Sequence, residues 1–400
     1  MQKTLIILLS LLFVLQGLPA SAATDAGSTP TVLTLEQARA LALANSRELQ
    51  KYETAADRAK YQKQQTADQT DDAYDRYNSL SNQYSSLSEQ YDQLLADGDT
   101  AGAAAIKAKL EQIEEAMETQ YDKIAAASGD EEDAADNYED AMQEAAKYRK
   151  KLAYLVEELY TTILSQEAAL AALEKECYLK QQLLMQARQK LVLGSSTQLA
   201  ADQAAAELID LQKSISEQAG QIKINKGMLN DMIGRNFSDE LTLTPFEVPG
   251  TFELPAEDML LSDAAQSYDR LWQLARDINN LEDDLDEAED YYRSLLLRQD
   301  IKTKELELAD AKVNLAKTVN SLLAQMQARQ QAYQLAVANF VTAQNTYRWD
   351  QKKYELGQIS KMTLQASELN FLKTKNKKEA AGYDLYLARR SLELAQAGVL

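Results

Sequence analysis

Along most of the chain, apolar or small residues return at alternating steps of three and four. One run passes through Tyr138, Met142, Ala145, Leu152, Val156, Leu159, Ile163, Leu170, Cys177, Leu184 and Leu191 and stops at Gly194. A second passes through Leu308, Leu315, Val319, Leu322, Met326, Tyr333, Phe340, Ala343, Tyr347 and Tyr354 and stops at Gly357. Polar residues fill some of the steps, Arg149, Gln166 and Lys180 in the first run and Lys312, Arg329 and Asp350 in the second; with these counted, the two runs fall on the same positions back from their glycines. This spacing keeps one stripe of side chains facing a partner, so it predicts long helices paired as coiled coils. The rhythm resumes in phase after each turn, through Leu208, Ile215, Ile222 and Leu229 in one copy and Phe371, Lys378, Leu385 and Leu392 in the other. The chain therefore reads as two copies of one unit: long helix, glycine turn, long helix. Glycine suits the turn because, lacking Cβ, it accepts positive φ without a clash.

The first copy is longer, and its surplus has a pattern of its own. Tyr77, Leu80, Tyr84, Leu87, Tyr91 and Leu94 form one stripe; Ile106, Leu110, Ile113, Met117 and Ile124 form another; Asp97-Gly98-Asp99-Thr100-Ala101-Gly102 lies between them. This predicts a self-contained antiparallel helical hairpin over about 71–129. Ser128-Gly129-Asp130 then reads as a break or kink, with Asp130 a candidate cap. A helix from Glu131 to Leu193 would be on the order of 95 Å long at 1.5 Å per residue. From Leu260 to Leu356 there is no Gly or Pro, so the matching reversal in the second copy has no obvious marker; the spacing puts it near Ser294 to Ile301.

The remaining segments are short. Thr34 followed by Gln37 forms a capping box that starts a helix. A weaker counterpart of that opening begins at Pro255, with Glu36 opposite Glu257. Leu241-Thr-Leu-Thr-Pro-Phe-Glu-Val-Pro alternates apolar and polar residues and predicts an edge strand limited by Pro245 and Pro249. The expected fold class is all-α: two tandem structural repeats of long antiparallel helices, with an extra helical hairpin in the first repeat and at most one or two short strands between repeats. Its expected divisions are a leader over 1–23, a first repeat over 24–240, a linker over 241–255 and a second repeat over 256–400.

Composition sharpens this picture. Only 13 Gly and 5 Pro occur in 400 residues, which removes most helix breakers. A net charge of −20 disfavours nucleic acid as a partner. Lys3, the apolar stretch Leu5–Leu18 and Ala20-Ser21-Ala22 form a secretory signal with a small-residue cleavage site; an uncleaved anchor is the competing reading. Cys177 is the only cysteine, which excludes an intrachain disulfide and fits a small buried apolar role. With no histidine there is no imidazole base and no His-rich metal site. No catalytic, cofactor-binding or metal-binding residues are expected, and the protein does not read as an enzyme. The acidic run Glu282–Asp290 and the basic run Lys373–Lys378 read first as solvated helix faces. A sharper reading of the basic run is a dock for an acidic adaptor surface.

The opening Leu-Thr-Leu-Glu-Gln-Ala…Ala-Leu-Ala-Asn-Ser-Arg-Glu-Leu, the two Leu-Gly turns and the closing Ala-Arg-Arg-Ser-Leu-Glu-Leu-Ala…Gly together resemble the TolC-like outer-membrane efflux proteins. The resemblance covers nearly the whole chain after the leader and rests on order and duplication, not on a single motif. It implies a homotrimer whose subunits each give two repeats to a hollow α-helical tunnel, working with a periplasmic-type adaptor and an inner-membrane pump. It implies that Gly194, Ser195, Tyr354, Gly357 and Gln358 mark tip turns that meet the adaptor. It places the protein in the cell envelope, in the outer membrane where the cell has one and otherwise at the cell surface.

Two departures accompany the resemblance. The family inserts barrel strands between the first two long helices of each repeat. No pair of alternating segments of about 9–11 residues stands between Lys60 and Glu131 or between Leu281 and Leu308, which leaves membrane contact open. The family can also carry acidic gate residues after the second turn glycine, whereas no acid here precedes Glu368. Three readings follow: an export-tunnel component, a structural coiled-coil protein that kept the fold without transport, and a pump adaptor. The duplicated hairpin and scarcity of strands disfavour the adaptor.

Overall fold

A computed structural model describes residues 31–399. The expected signal segment lies outside the described residues. The elements run β1 (Thr31–Leu33), α1 (Leu35–Asn45), α2 (Arg47–Ala96), α3 (Thr100–Val192), α4 (Gln198–Met232), β2 (Leu241–Leu243), α5 (Glu257–Ser267), α6 (Asp269–Asp286), α7 (Tyr291–Glu355) and α8 (Lys361–Gln396). Among the described residues β1 and β2 are the only strands, and they pair in parallel with Thr31 opposite Leu241. The fold is all-α in the sense the pattern predicts, and β2 is the expected edge strand.

The repeats superpose residue by residue on burial. A shift of 163 carries Gly194 to Gly357. It also carries buried Leu152, Val156, Tyr160, Ile163, Ile222 and Leu229 onto buried Leu315, Val319, Leu323, Met326, Leu385 and Leu392. The first short helix maps by a shift of 222: Ala38, Ala42 and Leu49 fall on Leu260, Ala264 and Leu271, all buried. The sequence pairing of Glu36 with Glu257 is therefore one residue out. Only the side chains that enter the core show the true register.

Two expectations about helix breaks are corrected. The chain does not break at Ser128-Gly129-Asp130, because α3 passes through without interruption. Its 93 residues span about 140 Å. A helical glycine costs only about 1 kcal/mol, and α2 lies alongside to offset it. There Thr70 Oγ1 donates to the Ala127 carbonyl at 3.1 Å, and Gln120 Nε2 donates to the Ala73 carbonyl at 3.0 Å. The 71–129 hairpin is thus the continuous far end of α2 and α3. The second correction concerns the α6–α7 reversal, which occupies Glu287–Asp290 and not Ser294–Ile301. Asp290 caps α7 by accepting from the Arg293 N–H at 2.7 Å. No residue in this turn has positive φ, so it needs no glycine.

Each repeat has a core where its short first helix meets the long pair. In the first, Tyr160 is fully buried beneath the strands. Its hydroxyl lies 2.8 Å from the Leu33 carbonyl and 2.7 Å from the Thr244 carbonyl, and it accepts from the Thr244 N–H at 3.0 Å. One helix thereby closes the end of the ladder. Beside it Glu157, fully buried, accepts from Arg39 at 2.9 Å and from Arg390 Nε at 2.8 Å. This joins α1, α3 and α8. Phe246, from the segment after β2, packs among Tyr160, Tyr383 and Tyr386. The second core, around Leu260, Leu315, Val319, Met326 and Leu392, is apolar throughout.

Side by side, the long helices run in the order α4–α3–α8–α7. The middle joint, between the repeats, is polar. Lys373 meets Glu176 at 2.7 Å, Lys175 meets Glu368, and Asn376 Nδ2 donates to the Ala168 carbonyl at 2.5 Å. The basic run is therefore partly spent inside the chain, and Glu368 is taken up there as well.

Candidate functional site

The two glycine turns lie at the same end of this helix layer and are built alike. Leu193 caps α3, and Gly194 takes φ +71°. The Gly194 N–H then donates to the Leu191 carbonyl at 2.9 Å and the Ser195 N–H to the Lys190 carbonyl at 2.8 Å. At the second turn Gly357 takes φ +73°, donating to Tyr354 at 2.9 Å while the Gln358 N–H donates to Lys353 at 2.8 Å. These paired bonds satisfy the carbonyls that a helix end leaves free. A Cβ at either glycine would meet no atom within 4 Å, so φ alone demands glycine at both. Three residues on, Thr197 and Ser360 cap the return helices through the Ala200 and Thr363 N–H groups, at 3.3 and 3.1 Å. Lys190, and Lys352 with Lys353, occupy the last turns of α3 and α7, where the helix dipole favours positive charge.

Gly194, Ser195, Tyr354, Gly357 and Gln358 are all exposed, and the structure gathers them into two neighbouring tips. The sequence reading missed the apolar crown around them. Val192 is 86% exposed, Leu193 80%, Leu199 66% and Leu356 72%. The available signal was position: each is a large aliphatic off the coiled-coil stripe and next to a turn. Below the first tip, a groove of about 650 Å³ runs between α3 and α4, lined by Leu184, Met185, Arg188, Val192, Leu193 and Leu208. At the second tip Trp349 is exposed, with Lys352 over its ring at 5.1 Å. The tips offer apolar contact surface and backbone turns. Among the described residues, no group of three or more His, Cys, Asp or Glu could hold a metal ion.

No family model matches the chain, and no curated protein matches it. Solved structures do. CusC, studied for the conformational changes accompanying folding and transmembrane channel formation, aligns at 14% identity with a TM-score of 0.54, over 91% of this chain and 95% of that one. A membrane protein from Pseudomonas aeruginosa aligns at 11% identity with a TM-score of 0.55, over 94% and 98%. The fold is TolC-like. In this TolC-like fold the stretches from Arg47 to Val192 and from Asp269 to Glu355 are helix–turn–helix throughout. Among the described residues no helix is long and apolar enough to cross a membrane.

Proposed function

We propose that the protein is an exported TolC-like tunnel component that passes small molecules or peptides out of the cell together with a pump and an adaptor. The observation that carries this reading is the open layer α4–α3–α8–α7. Its outer helices each pack mainly on one long neighbour, and the same fold recurs along nearly the full length of CusC, whose study concerns transmembrane channel formation, and of a membrane protein from Pseudomonas aeruginosa. A layer with free edges curves around a passage when copies join. Three copies would form the ring, as in the family the sequence resembles. The adaptor would meet the tips through Ser195, Tyr354 and Gln358, around Gly194 and Gly357, aided by the apolar crown of Val192, Leu193 and Leu356. Transport would need no catalysis, and the protein would sit in the cell envelope, in the outer membrane where the cell has one and otherwise at the cell surface.

One feature supports a second reading, a structural envelope protein that kept the fold without transport. By the repeat register, α2 and α3 run past the end of the α6–α7 pair by residues 65–127, a projection of about 45 Å. It carries thirteen acidic and four basic residues, which favours a solvated stalk.

Two measurements separate the readings. Images of the purified protein viewed down its long axis should show an open bore, and deleting the gene should raise retention of an exported dye or peptide in the native cell. A solid rod, with unchanged retention, would hand the case to the structural reading.

A further inference from the structure

The two repeats meet along two joints of unlike chemistry. Nearer the tips, α8 shares a core with α3: Tyr383 and Tyr386 of α8 stand among the first-core residues with Val156 and Tyr160. Farther from the tips, α6 lies beside α3 but gives no residue to that core; its buried Leu271 belongs to the second one. What ties α6 to α3 is polar. Lys147 meets Asp269 at 2.6 Å, Gln273 Nε2 donates to Asp140 at 3.1 Å, and Arg276 lies 3.2 Å from Asp140 and 3.1 Å from Asp136.

This far joint is only partly satisfied. Arg276 Nη1 and Gln143 Oε1, a donor on one side and an acceptor on the other, are both buried without a partner. Arg276 Nε lies close to Asp136 but without hydrogen-bond alignment. Such groups give up water and gain nothing in return. A cavity of about 520 Å³, lined by Tyr52, Lys147, Tyr148, Tyr268 and Gln273, already parts the repeats at the root of the joint. Beyond Arg276 the joint turns repulsive. From Asp269–Lys147 to Arg276–Asp136, each step along α6 is a step back along α3. That register brings the acidic run Glu282–Asp286 level with Asp130–Asp133. Among the described residues the ion pairs of this joint stop at Asp136 and Arg276. Like charges at one level repel, and most strongly where salt is low.

We propose that the α6–α7 hairpin is a charge-balanced arm rooted in the second core. Lys147 and Arg276 latch it to α3, the facing acidic runs push it away, and loss of the latch lets it swing out from α3. The swing opens the wall between the repeats on the side away from the tips. Opening hydrates Arg276 Nη1 and Gln143 Oε1 and separates the like charges, which offsets part of the lost ion pairing. The α3–α8 joint, backed by a shared core, stays shut. The arm belongs to a single chain, so the proposal does not rest on the tunnel reading.

The test uses the full chain with Cys177→Ala, spin-labelled in pairs and diluted into unlabelled chain so that only distances within one copy count. Ala126→Cys with Asn280→Cys spans the far joint, and Tyr178→Cys with Asn370→Cys spans the α3–α8 joint; all four positions are exposed. Pulsed electron spin resonance should give a narrow distance for both pairs in the parent. Arg276→Gln should lengthen and broaden the far distance and leave the other unchanged. Adding Glu282→Gln, Asp284→Asn and Asp286→Asn should bring it back toward the parent value. Raising salt from about 0.01 M to about 1 M should do the same in Arg276→Gln, because the screening length falls from about 30 Å to about 3 Å. A far distance that ignores Arg276→Gln overturns the latch. Failure of both charge removal and salt to restore the distance overturns the repulsion. Movement of the α3–α8 pair in Arg276→Gln would mean general loosening and overturn the arm as well.

Discussion

The two repeats place Tyr160 and Leu323 on the same helical turn, and both are buried. In the first repeat the phenol reaches a strand ladder, and a carboxylate between two guanidinium groups ties α1 and α8 to α3. In the second repeat there is no ladder, and the image of Glu157 is the exposed Asn320. One backbone plan therefore supports a polar, cross-braced core and a plain apolar one. The difference has a topological cause. Both strands flank the first repeat, β1 at its start and β2 at its end, so their unpaired groups gather there. A buried polar end must be met by a partner, and Tyr160 meets it.

The sharpest break in this comparison is Glu157→Ala. Removing the carboxylate leaves Arg39 and Arg390 facing each other without their shared acceptor. The expected cost is about 3 kcal/mol, the low end for a broken buried pair because Arg39 keeps some solvent. Asn320→Ala, at the image position, should stay within about 0.5 kcal/mol. Denaturant titration of the two variants checks this, and equal midpoints would erase the distinction between the cores.

A smaller effect separates the glycines that close the repeats. A Cβ at Gly398 would lie 1.8 Å from the Ser267 carbonyl oxygen, whereas one at Gly234 would meet the Asn45 side chain at 2.5 Å. Both glycines also have positive φ. Gly398→Ala should cost about 2–3 kcal/mol and Gly234→Ala about 1–2, because the overlap with the Ser267 backbone is deeper than the overlap with the Asn45 Cβ. Gly357→Ala, with open space around it, isolates the φ cost alone. Thermal unfolding should rank the three in that order.

Tyr160→Phe should cost about 1–2 kcal/mol by stranding the Thr244 carbonyl, while the Thr244 N–H keeps its bond to the Leu33 carbonyl at 3.0 Å. Hydrogen exchange at Leu243 and Thr244 should quicken, while exchange around Leu323 stays as it was. The mildest signature is alkaline. Burial pushes the hydroxyls of Tyr160, Tyr383 and Tyr386 up to about 12, from an ordinary value of 10.0. A raised folded-state value means that the unfolded chain loses these protons first. Stability from these groups is therefore full below about pH 10 and drains away as pH climbs toward 12. Phenolate absorbance should show a late-titrating set, accompanied by loosening of the first core. Titration of every tyrosine near its ordinary value would contradict this.

Much of this architecture was legible in the chain. The stripe ending at Gly194 and its copy ending at Gly357 sufficed for the long helices, both tips and the duplication. Thr34 and Gln37 form both bonds of the capping box, at 3.3 and 2.9 Å. The tip residues were findable because positive φ writes glycine into the sequence. The α6–α7 turn was misplaced because ordinary backbone angles leave no such mark. The break expected at Gly129 failed because a local preference of about 1 kcal/mol yields to a neighbouring helix packed along its length.

What the sequence determined by itself was periodic and local: helix face, helix end, repeat. Those follow from the rise and twist of a helix and from the φ that a Cβ forbids. Only the tertiary structure decided which distant groups meet: Tyr160 with the ladder, Glu157 with Arg39 and Arg390, the basic run with α3, and the open edges with nothing in this chain. Such pairings depend on the order in which helices lie side by side, and a stripe of apolar residues is nearly the same whichever neighbour it faces.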